Sequence, residues 1–197
     1  MRFSGAILAA SILCQPLYAI AETSATVQRW VAHPDKSELE FTATQEGTPF
    51  RGQFRKFSAS LELVQTDEGA GLLQLNANIE LASVDTQYRD RDDYLVQQDW
   101  FYIDMWPHAV FQSSAIRQLG GDRFIADGTL SLRGVEKDVQ VELELTMEDN
   151  GERGNLIGST ALNRLDFGVG QGDWSSTEWV GDEVNVEFDL RILRAFE

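Results

Sequence analysis

Apolar residues recur at every second position through most of this chain, and that period limits what it can fold into. Leu39, Phe41 and Ala43 share one side of a run, with Glu38, Glu40 and Thr42 opposite. Phe57-Ala59-Leu61-Leu63 alternate with Ser58, Ser60 and Glu62, and Leu73-Leu75-Ala77-Ile79-Leu81 with Gln74, Asn76, Asn78 and Glu80. The same holds for Val139-Val141-Leu143-Leu145-Met147 and for Val184-Val186-Phe188-Leu190-Ile192. Each run has one apolar and one polar face, the pattern of antiparallel strands wet on one side. Weaker runs lie at 108–117, 123–133 and 156–164, and Gly-containing turns such as Gly120-Gly121-Asp122 and Arg133-Gly134 separate them. The reading is an all-β domain of about eight strands. Such a sheet must pair with a second sheet or close on itself, and closure at about eight strands leaves room for side chains or one small ligand.

Two segments break the alternation. Phe54 and Phe57 cannot share one phase, so a bulge or sharp bend is expected between Phe50 and Phe57. Gln87 to Gln98 is the one convincing helical stretch, within a short helical segment near 87–105. It is expected to cover one end of the barrel.

The first residues do not belong to that domain. Arg2 precedes a mostly apolar, small-residue stretch from Ala6 to Ala21, and Ala19-Ile20-Ala21 places small residues where a signal peptidase reads. Residues 1–21 are therefore expected to be a secretory signal peptide cleaved before Glu22, leaving 22–197 as the exported domain. The only cysteine, Cys14, lies in the leader behind Leu13 rather than a small residue, which argues against lipidation. The mature chain then has no thiol for disulfides, thiolate zinc or nucleophilic chemistry. Its net charge is −16, and removing one positive charge, Arg2, leaves −17. Nucleic acid and anionic membrane surfaces select basic patches, so neither is an expected partner, and no stable membrane insertion is expected. A homodimer is left open.

Few residues look like chemistry. Asp90, Asp92, Asp93, Asp99 and Asp104 lack the alternation, the Gly and the closing Glu of a calcium loop, and Arg89 and Arg91 interleave with them. They read as a helix start with acids near the dipole's positive end and local ion pairs. His33 and His108 are too few for a histidine metal site, and no Gly-x-Ser-x-Gly elbow supports a hydrolase triad. Most of the 32 acids alternate with apolar residues and face solvent, unlike a glycosidase pair. Gly168 to Trp174 lacks the Lys-Ser/Thr ending of a phosphate loop and reads as a mobile loop at a barrel mouth, with Trp174 and Trp179 as exposed or rim aromatics. No metal, cofactor or catalytic residue is assigned.

An ordered set of motifs over about 150 residues carries a resemblance. It runs through Ser37-Glu38-Leu39-Glu40-Phe41, Gly52-Gln53-Phe54-Arg55-Lys56-Phe57, Ala82-Ser83-Val84-Asp85-Thr86 and Arg89-Asp90-Arg91-Asp92-Asp93-Tyr94-Leu95. It continues with Asp99-Trp100-Phe101, Pro107-His108-Ala109-Val110-Phe111, Asp127 to Val135, and Arg164 to Trp174. Together these resemble the YceI-like family, the lipid/polyisoprenoid-binding domain of bacterial periplasmic proteins. The chain departs from many members at Thr44-Gln45-Glu46-Gly47-Thr48-Pro49-Phe50. The resemblance implies a lipocalin-like antiparallel barrel holding a long-chain amphiphile, a polyprenyl chain or quinone tail. A periplasmic carrier is the first reading. An enzyme acting on such a lipid, or a ligand-free stress-response module, are the alternatives.

On alternation, Phe41, Leu61, Leu75, Ile79, Leu143, Val186 and Phe188 are expected to point inward. With Phe57, Ala77 and Phe111 they are the candidate tail contacts. Arg51, Arg164 and Trp174 are the candidate rim contacts, since a phosphate or quinone carbonyl needs donors.

Overall fold

The computed structural model describes residues 26–66, 69–148 and 151–195. The expected leader, its cleavage site and Cys14 lie outside the described residues. The strands are β1 (Val27–Ala32), β2 (Glu38–Gln45), β3 (Thr48–Phe54), β4 (Phe57–Thr66), β5 (Gly69–Glu80) and β6 (Val84–Asp85), then β7 (His108–Gly120), β8 (Arg123–Leu132), β9 (Val135–Glu148), β10 (Arg153–Asn163) and β11 (Glu183–Arg194). All pair antiparallel. In the order β1, β4, β5, β7, β8, β9, β10, β11 they form a barrel, closed because Ile192, Leu193 and Arg194 of β11 pair with β1.

β11 serves two neighbours on one edge. Its last residues pair with β1, while Asn185–Asp189 pair with β2. β2, β3 and β6 therefore continue the wall beyond the closed barrel and make a taller, open-ended upper half. The expected number of barrel strands holds, but its membership differs. The strong run at 38–43 lies in this extension, and β1 takes its place in the barrel. Apolar Val27, Trp30, Val31 and Ala32 do not keep one phase, so periodicity did not mark β1.

The expected break near Phe54 is a corner. β3 ends at Phe54 against β6, the chain bends at Arg55 and Lys56, and β4 starts at Phe57 against β5. One inward assignment is corrected: Leu73 is exposed while Leu72 is buried. The β4–β5 register shifts between Glu62 and Leu63, so an extra residue on β5 changes which leucine faces in. Glu46 and Gly47 both have positive φ and make the two-residue turn joining β2 to β3.

Two apolar clusters fill the interior. Trp30, Leu61, Leu75, Phe124, Leu143, Leu156 and Ile192 pack the lower half. Phe41, Leu81, Leu95, Trp100, Phe167 and Val180 belong to the upper half, and Leu130 and Val139 touch both. The helix α1 (Arg89–Leu95) lies across the upper half, as expected, and turns follow it to residue 105. Buried Thr86 anchors α1, donating to Asp92 Oδ1 from its N–H at 2.8 Å and its hydroxyl at 2.7 Å.

Candidate functional site

The upper half is hollow. A cavity of about 400 Å³ opens between α1 and the β2–β3 hairpin, within the range of small-molecule sites. Its wall is built by the alternation itself. Phe41 and Ala43 of β2, Ile79 of β5, Ala109 of β7, Leu130 and Leu132 of β8, Leu162 of β10 and Val184 and Val186 of β11 all face it. The open side is covered by side chains outside the barrel: Phe50 and Phe54 of β3, Leu95 of α1, and Trp100, Phe101, Phe167, Val169, Trp174 and Val180 of the loops. Phe54 packs on Phe41 and Phe101 at centroid separations of 5.6 and 5.9 Å, and Trp174 on Tyr94 and Trp100 at 5.9 and 5.5 Å. This aromatic roof gives a large apolar surface with few rotatable bonds.

Three of the ten expected tail contacts, Phe41, Ile79 and Val186, line the cavity. Ala77, Phe111 and Phe188 stand one step deeper on the same strand faces and belong with the lower cluster rather than the cavity lining. Phe57 packs half-buried against that cluster, and Leu61, Leu75 and Leu143 are buried within it. These inward residues do not share one continuous hollow. The lower half of the barrel is filled.

Of the rim residues, Trp174 lies half-buried on the cavity wall. Arg51 is exposed on β3 and does not line the cavity. Arg164 lines it but cannot serve a headgroup, because each of its five N–H groups has a backbone partner. Nε donates to Gly181 O at 2.9 Å. Nη1 donates to Val169 O at 2.8 Å and Gly170 O at 3.4 Å, and Nη2 to Trp174 O and Val180 O at 2.8 Å each. Only arginine has the donors for this. Burial pushes its guanidinium below its ordinary pKa, opposed by the charge of Asp182. Segment 168–174 is therefore clasped to the barrel wall, and Gly170 N and Gln171 N both donate to Asp99 O as well, at 2.8 and 2.7 Å. A Cβ at Gly170 would overlap Arg164 Nη1.

The cation that does stand free at the mouth is Arg91. Its guanidinium lies over Phe50, 3.8 Å from the ring centroid, and 5.5 Å from that of Tyr88. Its Nε is buried without a hydrogen-bond partner. Sequence reading had merged Arg91 into a local ion-pair network, yet a signal was available. Arg89 has Asp93 four residues on and pairs with it at 3.8 Å, whereas Arg91 has Tyr94 and Leu95 at those spacings and Gln87 and Tyr88 behind it. No acid can meet it along the helix. Neither histidine lines the cavity, and no group of three or more metal-ligating side chains lies together among the described residues.

Comparison with known proteins agrees with this architecture. The model of the YceI-like domain matches residues 30–192. A UPF0312 protein of Azotobacter vinelandii is 31% identical over 122 residues, covering 60% of this chain and 62% of that protein. One from Vibrio parahaemolyticus is 24% identical over 156 residues, covering 77% and 80%. Among solved structures, Burkholderia cenocepacia BcnA aligns with a TM-score of 0.73 at 30% identity, over 81% of this chain and 98% of that one. A polyisoprenoid binding domain from Saccharophagus degradans shares the fold, with a TM-score of 0.65 at 15% identity over 84% and 98%.

Proposed function

Because the chain belongs to the YceI-like family, we propose that it is a binding and carrier protein for an isoprenoid-type amphiphile, acting in the periplasm. The observation that carries this reading is the cavity itself: an apolar, aromatic-roofed space above a filled core. Of the charged groups on its wall, Asp90 and Arg91 stand at the mouth and Arg164 is fully occupied by backbone. Each CH₂ buried there contributes about 0.8 kcal/mol, so an insoluble chain binds tightly by burial alone. A wall with one carboxylate and no histidine favours binding over acid–base chemistry, and the Saccharophagus domain that shares the fold is described as polyisoprenoid binding.

Native mass spectrometry of protein purified from its own cells tests this. A lipid of one or few masses should co-purify. Ala109→Phe, which places a ring in the cavity from a buried wall position, should lose it while keeping the barrel's circular dichroism. Full lipid occupancy in that variant would remove the cavity from the account.

A further inference from the structure

We propose that Arg91 is the headgroup-recognising residue of this site, and that the headgroup it takes is a singly charged oxyanion. This rests on the carrier reading.

Every acid on α1 already has a partner. Asp90 accepts from the Tyr88 hydroxyl at 3.4 Å, Asp92 accepts twice from Thr86, and Asp93 pairs with Arg89. Arg91 has no carboxylate within ion-pair distance among the described residues. Its one characterised neighbourhood is aromatic, Phe50 and Tyr88. A guanidinium held this way keeps its fork of N–H donors free, and its Nε is already withdrawn from water without a partner. Leaving such a donor unsatisfied is costly, and an anionic oxygen is the acceptor that relieves it best. The helix places this donor at the mouth of an apolar cavity. A ligand whose tail fills the cavity would bring its head to Arg91 and supply the missing counter-ion.

The surroundings limit the charge of that head. Asp90, Asp92 and Asp93 flank Arg91 within one helix turn, in a chain of net charge −16. One negative charge is matched by the Arg91 guanidinium at the mouth. A second would have no further cation on the cavity wall, since Arg164 is occupied by backbone, and would be repelled by these carboxylates. Carboxylate and phosphodiester heads both carry one charge at neutral pH; a diphosphate carries more.

The test uses four ligands with one C20 isoprenoid tail, ending in an alcohol, a carboxylate, a methyl phosphodiester or a diphosphate. Dissociation constants are read from tryptophan fluorescence of the wild type, Arg91→Gln and Arg91→Lys. The wild type should bind the carboxylate or the phosphodiester about 10- to 100-fold more tightly than the alcohol, and the two arms show which oxyanion is taken. The diphosphate should gain nothing over them. Arg91→Gln should lose the preference while still binding the alcohol, which shows that its cavity is retained. Arg91→Lys should recover part of it. A wild type with no preference, or a preference surviving in Arg91→Gln, overturns the assignment and leaves the carrier reading standing. If no tail binds either protein, both fall.

Discussion

Phe41 lies across Gly52, its antiparallel partner on β3, so closely that a Cβ on Gly52 would overlap the Phe41 ring. The same hypothetical Cβ would stand 3.0 Å from Thr86 Cγ2. The glycine makes room for a ring that forms part of the cavity wall, and the ring covers backbone that a glycine leaves bare.

Gly52→Ala should therefore displace Phe41 rather than merely stiffen the chain. The expected cost is about 1–3 kcal/mol, typical of overpacking a tight interior. Urea unfolding should show a lower midpoint with an unchanged slope. Phe41→Leu in the same background should recover part of the loss.

Arg164→Lys is expected to be nearly as damaging as Arg164→Ala. An ammonium offers three donors where five carbonyls now accept, so buried acceptors go unpaired. The loss should reach about 3 kcal/mol or more, read in the same unfolding experiment. Ligand affinity should fall alike for charged and neutral headgroups, since Arg164 holds the loop and not the head.

Asp85 gives stability a pH dependence with a definite sign. Its carboxylate accepts from Gln87 N at 2.9 Å and Gln53 Nε2 at 3.0 Å and pairs with Arg55, and these contacts hold its pKa below the ordinary value, the Gln87 N–H foremost. A depressed folded pKa means stability present above the unfolded value, about 3.9, and lost as pH falls through the folded one. The β3–β6 contact should weaken only below about pH 4. Unfolding midpoints of wild type and Asp85→Asn should differ most at neutral pH and draw together as pH falls below about 4; parallel curves would contradict this.

The filled lower half sets a limit on chain length. Phe111 stands one step below Ala109 on β7, in the lower cluster beneath the cavity-lining Ala109. Phe111→Ala should destabilise the barrel by about 3–5 kcal/mol and shift binding toward longer isoprenoid alcohols. The check is a chain-length series against both proteins. Equal optima would place the tail elsewhere.

Export should remove residues 1–21. Intact-mass measurement of the exported protein should give a chain beginning at Glu22, and a retained Met1 would contradict the leader.

Strands with one wet face were legible because burial on one side writes period two into the sequence, and β4, β5, β9 and β11 follow it. β1 was not, because its apolar residues occupy both phases. Leu72 and Leu73 were exchanged because a bulge inserts a residue without any marker in composition. The site was legible only as far as strands build it. Phe41, Ile79 and Val186 follow from alternation, whereas Phe50, Trp100, Phe101 and Val180 are brought over the cavity by loops and a hairpin, where no period operates. Arg164 and Arg91 show the harder limit. Both are arginines among acids in sequence. One is saturated by carbonyls from residues 169 to 181 and the other stands free, and that difference depends on where backbone passes.

The lower cluster, with Trp30 only 1% exposed, makes the barrel a blind vessel rather than a conduit. On the carrier reading, a guest that entered chain first would leave head first through the same door. Whatever receives it meets the polar end before any of the apolar length is uncovered. Delivery is thus a question of who can grip the head at the α1 side, and the tail need never be bare in water if that grip precedes withdrawal.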